Sequence, residues 1–237
     1  MNERVKLLKQ RFDIITQNAE KAALEANRKI EDVKIIAVSK IQKFDHVADA
    51  VEAGLKYFGE NYVAELREKH DQLTEIGVSV PEWHFIGHLQ SNKVKYIAEF
   101  ITMIHSVDSL KLAEEIDKRA LQHERIIDVL IQINTSGEDS KSGIEPEDAA
   151  ELAEQIMKLK NVKLKGLMTI GTFTDDESLQ RGEFTLLRNT LKSINEKLGT
   201  DLVELSMGMT GDYAVAISEG ATMVRIGTAI FGERVYN

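Results

Sequence analysis

The chain has no cysteine, which excludes a disulfide framework, a thiolate nucleophile and a cysteine-based metal site, as suits a reducing compartment. Its two prolines, Pro81 and Pro146, are too few for a hinge-rich architecture. No apolar run approaches the length of a membrane span or a signal-peptide core, and charged residues punctuate the first ten positions. A cytoplasmic protein without a membrane partner is therefore expected. An excess of cations is missing too: 30 Lys+Arg stand against 39 Asp+Glu, a net charge of −9. That balance argues against a nucleic-acid partner and leaves room only for a local basic pocket, so the expected partner is a small molecule. There is no GxGxxG, Walker A loop, HExxH, GxSxG elbow or EF-hand loop. The six histidines, His46, His70, His84, His88, His105 and His123, lack metal-ligand spacing, and no metal is expected. His84 and His105 fall in strand-like segments and read as core or rim histidines.

What the chain does have is alternation. Val5, Leu8, Phe12, Ile15 and Ala19 recur at helical spacing, so a long amphipathic helix over residues 2 to about 27 opens the chain. Strand-like runs then follow at Val33–Lys40, Tyr57–Asn61, Trp83–Gly87, Thr102–Val107, Ile126–Asn134, Val162–Ile170, Leu202–Ser206 and Thr222–Gly227. Helical patterns separate them: Phe44 to Ala53, about 62–74, one opening at His88 to Lys93, 109–123, Pro146 to about 159, 176–198 and about 212–219. Strict alternation with short connections demands a parallel sheet with right-handed crossovers, and eight units are the number that closes a TIM barrel. The expected fold is thus α/β, a single (β/α)8 barrel with an extra N-terminal helix; a doubly wound open sheet is the alternative. With no composition shift or linker, residues 1–237 are expected to form one domain.

In such a barrel the chemistry sits at the carboxyl ends of the strands. Lys40 ends the first strand, and an ε-amine among apolar walls loses solvation, which lowers its pKa toward a nucleophilic range. Lys40 is therefore a candidate Schiff-base lysine, although a strand-end lysine can equally snorkel to water. After strand 7 comes Ser206-Met207-Gly208-Met209-Thr210-Gly211, and after strand 8 Gly227-Thr228. Barrels often hold a phosphate between these two loops, and here glycines permit close approach while Ser206, Thr210 and Thr228 offer hydroxyls. Ordinary turn and capping chemistry, with Thr210 or Asp212 as cap, is the plainer account. Arg225 falls opposite Val224 and Ile226 on a strand buried on both faces, so its guanidinium needs an acceptor. A structural carboxylate or a heteroaromatic nitrogen of a cofactor would serve. An amine, a phosphate cradle and an arginine are what pyridoxal 5′-phosphate requires.

Several stretches, in matching order along essentially the whole chain, closely resemble the pyridoxal-phosphate homeostasis proteins, also called the YggS/PROSC family. They are Ala37-Val38-Ser39-Lys40, Phe58-Gly59-Glu60-Asn61-Tyr62, Trp83-His84-Phe85-Ile86-Gly87 with Leu89-Gln90-Ser91-Asn92-Lys93, Lys141-Ser142-Gly143, Gly166-Leu167-Met168, Leu205-Ser206-Met207-Gly208-Met209 and Val224-Arg225-Ile226-Gly227-Thr228. The resemblance implies the barrel of fold-type III pyridoxal-phosphate proteins, related to the barrel of alanine racemase. It also implies a bound pyridoxal 5′-phosphate with Lys40 as its lysine, and a role in vitamin B6 homeostasis with no established catalytic reaction. Members buffer the cofactor or deliver it, apo forms of pyridoxal-phosphate enzymes being the implied recipients. By the same resemblance Ser206, Thr210, Gly211, Gly227 and Thr228 map to the phosphate end, Arg225 to the pyridine nitrogen, and Asn61 and Met168 to the pocket wall. Thr210 stands where a serine is usual and keeps the hydroxyl; Ile41-Gln42-Lys43 stands where the family often has a threonine and a proline.

Two competing readings share the lysine. An amino-acid racemase needs a second acid/base on the opposite face of its substrate, taken in alanine racemases from a further domain. Since this chain ends ten residues after Gly227, racemisation is expected to be at most a weak side activity. A cofactor-free Schiff-base aldolase would leave Arg225 without a role. Lys141, in the polar loop Thr135 to Gly143, is a candidate amine for releasing the cofactor, or simply a solvated lysine balancing Glu138 and Asp139.

Overall fold

The alternation closes on itself. In the computed structural model, which describes residues 2–138 and 142–232, eight parallel strands pair in sequence order and the last returns to the first. The strands are β1 (Lys34–Val38), β2 (Tyr57–Glu60), β3 (Glu82–Phe85), β4 (Met103–Val107), β5 (Ile127–Gln132), β6 (Val162–Met168), β7 (Glu204–Ser206) and β8 (Met223–Ile226). Around them lie α1 (Glu3–Glu25), α2 (Phe44–Glu52), α3 (Val63–Glu75), α4 (Leu110–Gln122), α5 (Ala149–Ile156), α6 (Glu177–Leu198), α7 (Tyr213–Ser218) and α8 (Thr228–Phe231). This is the TIM barrel expected, with α1 as the extra helix. No helix among the described residues is long and apolar enough to cross a membrane.

Strand alternation sorts the side chains into two cores. Outward-facing residues such as Ala37, Phe58, Trp83, Ile104, Val129, Leu167 and Val224 pack under the helices. Inward-facing Ile36, Met103, Leu130, Met168 and Met223 form a small apolar plug inside the barrel. The other inward positions are polar: His84, His105, Gln132, Ser206 and Arg225 are all buried. Polar groups so placed must find partners within the barrel, and that requirement shapes the site.

Helix boundaries follow local chemistry. The Asp176 carboxylate accepts the amides of Ser178 and Leu179 to start α6, and Gly199 at φ 65° ends it. Asn27 adopts φ 56° and stops α1, and the amide of Arg28 turns back onto the Ala23 carbonyl. One connection departs from expectation. Between β3 and β4 the chain forms a 3-10 turn over Ser91–Tyr96 in place of a full α-helix, although Val94, Ile97, Ala98 and Ile101 keep helical spacing and are buried. Gln90 makes no side-chain cap there, and Arg125 and Arg67 capture the carbonyls of Ala98, Ile101 and Tyr96. Pro146 likewise begins a 3-10 turn, Pro146–Asp148, before α5, which ends at Ile156, short of 159.

The N-terminal helix lies across α2, α7 and α8 and buries Val5, Leu8, Ile15, Ala19, Ala22 and Ala23. Its exit is clamped where the half-buried Arg28 guanidinium donates to the carbonyls of Ile217 (2.9 Å) and Ala221 (2.8 Å). Arg28→Ala strands both acceptors, so urea unfolding is expected to register a loss of about 2 kcal/mol, with the barrel still formed. A loss under about 0.5 kcal/mol would mean that water replaces the clamp.

Candidate functional site

Closing β8 against β1 sets Arg225 beside Ile36 and Ile226 beside Ala37, so the exits of the first and last strands are neighbours. At that mouth a cavity of about 440 Å3 opens, within the range of small-molecule sites. Lys40, Asn61, Thr210, Gly211, Arg225, Gly227 and Thr228 all line it, brought from the ends of β1, β2, β7 and β8. The hydroxyls of Thr210 and Thr228 lie 3.4 Å apart, so the two loops present them together. Gly227 is followed by the first turn of α8, whose leading amides have no partner within the helix. The loop Met207–Asp212 can sit this low only because Gly208 holds φ 90°; a Cβ there would lie 2.5 Å from Ala216 of α7. Gly87 does the same for Asn61, whose carbonyl lies 2.5 Å from where a Cβ on Gly87 would be. The Asn61 Oδ1 is itself buried with no partner.

Two of the expected residues are placed elsewhere. The Ser206 hydroxyl faces the barrel interior, 2.7 Å from the Arg225 Nη1 and 2.9 Å from the His105 Nδ1, and does not line the cavity. It serves Arg225, because β7 ends at Ser206 with its side chain still in the inward register of the strand. Met168 belongs to the apolar plug inside the barrel and does not line the cavity. The wall is supplied instead by Val38, Ile86, Ile170 and Met209, together with the β6–α6 loop. Lys141 lies outside the described residues.

Arg225 is 4 % exposed. Its Nη1 donates to Ser206 and its Nη2 to the Thr169 carbonyl at 2.7 Å, both neutral acceptors. Burial pushes its pKa down to about 10, with the nearby Asp212 carboxylate acting in the opposite direction, so it remains charged at neutral pH. Asp212 is raised by burial, against the Met209 amide that it accepts and the attraction of Arg225. It braces the Met207–Asp212 loop and does not cap α7 through its side chain. Behind Ser206 the chain of contacts continues, His105 Nε2 meeting His84 Nδ1 at 2.8 Å. The shared contact holds a single proton between His105 Nε2 and His84 Nδ1, so the two rings cannot both be doubly protonated without setting N–H against N–H. Burial lowers His84 to about 3 and holds His105 well below its ordinary value, with positive charge from Arg225 and Lys34 adding to the effect on His105.

Lys40 sits in a tight turn that periodicity did not reveal. The Gln42 amide donates to the Ser39 carbonyl, which makes Ile41 the third residue of the turn, and Ile41 has φ 66°. A type II turn reserves that position for glycine or asparagine, and a β-branched residue there costs about 1 to 3 kcal/mol. The β6–α6 loop is the other unforeseen part. Ile170, Thr172, Phe173, Thr174 and Asp175 border the cavity, held from α6 by Glu183, which accepts the Thr172 amide (2.7 Å) and hydroxyl (2.6 Å), and by Gln180, which donates to the Thr174 carbonyl. Its only trace in the sequence is position, directly after the sixth strand. A larger hollow of about 530 Å3 opens on the far side of Asn61, lined by Tyr62, Arg67, Phe85 and Tyr96 among others. It lacks the strand-end lysine and the two glycine loops, so the smaller cavity is the candidate site.

The family described as alanine racemase, N-terminal domain, matches residues 12–235. A protein of Aquifex aeolicus named pyridoxal phosphate homeostasis protein is 41% identical over 227 residues, covering 96% of this chain and 98% of its own. One of the same name from Pasteurella multocida is 42% identical over 231 residues, covering 97% and 99%. Among solved structures, PipY of Synechococcus elongatus with PLP bound is 34% identical with a TM-score of 0.78, covering 91% of this chain and all (100%) of its own. An alanine racemase of Clostridium difficile, 17% identical with a TM-score of 0.74, shares the fold; 98% of this chain matches 58% of that one.

The histidine wire predicts a pH dependence. Both rings are neutral in the fold but titrate near the ordinary value of about 6.5 once unfolded. The contribution of His84 to stability is complete above that pH and is lost as the pH falls from there toward about 3, and that of His105, whose pKa burial also lowers, is lost over the same direction of change. Stability to urea between about pH 6.5 and 5 is expected to weaken by roughly 1 kcal/mol per pH unit for each ring, and His105→Gln to make the slope shallower. An unchanged slope in the variant would mean that His105 is already charged in the native protein.

Proposed function

This chain belongs to the pyridoxal phosphate homeostasis proteins, and from that premise we propose that it binds pyridoxal 5′-phosphate at the barrel mouth and takes part in vitamin B6 homeostasis. Acting as a single cofactor-binding barrel domain, it buffers the cofactor or delivers it to apo-enzymes that require it. The observation that carries the reading is the meeting of Lys40, Arg225 and the Thr210–Thr228 hydroxyl pair around one cavity. When bound, pyridoxal 5′-phosphate supplies an aldehyde that condenses with a primary amine to a Schiff base, the carbon–nitrogen bond forming as the carbonyl oxygen leaves as water.

Lys40 provides that amine. The loops at Thr210-Gly211 and Gly227-Thr228 provide hydroxyl and backbone donors for the phosphate, and the partnerless Asn61 Oδ1 gives the wall an acceptor. Ser206, with its hydroxyl on Arg225, contributes by orienting the guanidinium, and Met168 by packing in the apolar plug inside the barrel. Arg225 faces the pyridine nitrogen. An arginine can only donate, so it holds that nitrogen unprotonated, and an unprotonated ring is a poor electron sink. A site built in this way retains the cofactor without driving carbanion chemistry, which suits a carrier.

The test is borohydride reduction of protein loaded with pyridoxal 5′-phosphate, followed by peptide mass spectrometry. The adduct is expected on Lys40 and is expected to vanish in Lys40→Ala, which keeps the fold; a full-strength adduct on another lysine refutes the assignment. Pyridoxal lacking the phosphate forfeits at least two charge-assisted hydrogen bonds of about 1.5 to 3 kcal/mol each and should bind on the order of 100-fold more weakly or worse. Equal affinity for the two forms would remove the phosphate from the role given to the Thr210 and Thr228 loops.

A further inference from the structure

The turn that carries Lys40 is gripped from outside the barrel. Ser39 and Ile41, the residues on either side of the lysine, each hold a bond to a charged cluster made by β2 and α3. The Ser39 hydroxyl donates to the Glu60 Oε1 at 2.7 Å, and the Ser39 carbonyl accepts from the Lys69 Nζ at 2.8 Å. The Ile41 amide donates to the Glu65 Oε2 at 2.7 Å. Lys69 joins the parts, its ammonium also reaching Glu60 at 2.7 Å and Glu65 at 3.2 Å, so its three donors are all engaged. Lys69 is 4 % exposed and Glu60 fully buried, although nothing in the cavity needs either of them.

A buried ion pair is a poor device for stability alone, since apolar residues of similar size commonly do as well, and it is better suited to selecting one conformation. Here the conformation selected is an unfavourable one, Ile41 at φ 66°. Turning over the Lys40–Ile41 peptide would take the Ile41 amide away from Glu65, and once the turn is released the φ of Lys40 is free to change as well, which swings the Cα–Cβ bond and with it the lysine side chain. We propose that Glu65, anchored by the buried Glu60–Lys69 pair, is a positioning residue that holds the Ser39–Gln42 turn in its strained form and so aims the Lys40 amine into the cavity. The proposal rests on Lys40 being the residue that receives the cofactor.

The test compares the rate at which the Lys40 adduct forms, followed by the absorption of protein mixed with pyridoxal 5′-phosphate and by borohydride trapping. Glu65→Ala is a mild change, at a one-third exposed side chain in the first turn of α3, where alanine favours helix. It is expected to slow adduct formation about tenfold, the effect of one lost hydrogen bond to a charged group. Glu65→Gln keeps an oxygen for the Ile41 amide and should recover most of the rate. Ile41→Gly removes the backbone strain, so by itself it should leave the rate nearly unchanged, and in the double variant it should abolish most of the Glu65→Ala defect. A purely structural tie between α3 and the sheet would give neither the rescue by glutamine nor the coupling to Ile41. An adduct on Lys40 that forms at the unmutated rate in Glu65→Ala, or a defect that Gln and Gly leave untouched, overturns the positioning role alone. Absence of a Lys40 adduct in the unmutated protein overturns the cofactor reading and the positioning role with it.

Discussion

Everything at the mouth of this barrel depends on the ladder between β1 and β8. Its register, Ile36 opposite Arg225 and Ala37 opposite Ile226, is the contact that turns a row of eight strands into a closed surface. It also makes neighbours of residues almost two hundred positions apart in the chain. Without closure Lys40 and Arg225 would stand at opposite edges of an open sheet; with it they share one cavity. The same closure leaves no free sheet edge, so every strand has a hydrogen-bonding neighbour on both sides.

The interior then poses a problem of charge. Arg225 carries a full positive charge inside the barrel, and its two recorded acceptors, a hydroxyl and a carbonyl, are neutral. Ser206, His105 and His84 continue outward from it as a line of uncharged hydrogen-bonding groups, and burial keeps both imidazoles neutral. A second charge problem, on the other face of the sheet, is answered differently. There Glu60 meets Lys69, with opposite charges in contact at 2.7 Å. Inside, a cation is left with directed but neutral partners; outside, Lys69 is paired with the carboxylates of Glu60 and Glu65. The two clusters flank the first strand's exit: Arg225 lines the cavity with Lys40, and Glu60, Lys69 and Glu65 bond the residues on either side of it.

Much of this was legible in the sequence. Strand-like runs alternating with helical ones predicted the barrel, and the residues following strands 1, 2, 7 and 8 predicted the cavity through Lys40, Asn61, Thr210, Gly211, Gly227 and Thr228. The inward position of Arg225 followed from a period of two. The depth of each residue along the barrel axis did not follow. Ser206, expected at the phosphate end, bonds Arg225 and His105 inside the barrel, and Met168, expected in the wall, packs in the apolar plug; neither lines the cavity. The helix between β3 and β4 had the right spacing but the wrong pitch, because Arg125 and Arg67, from distant segments, capture its carbonyls.

The sequence by itself determined what repeats locally: which residues are strand, which face of each strand points inward, and which residue types stand at each strand's end. Those properties arise from neighbours two to four positions apart, and periodicity reports them directly. Tertiary structure alone decided the pairings that span long stretches of chain, among them His105 with Ser206, Arg225 with the Thr169 carbonyl, and Glu60 with Ser39 and Lys69. It alone decided that Ile41 would be held at a positive φ, a state no local preference of isoleucine favours and one that exists beside bonds from β2 and α3 to the residues around Lys40. A buried polar group takes whichever partner the packing brings within reach, and that choice is made only when the barrel closes.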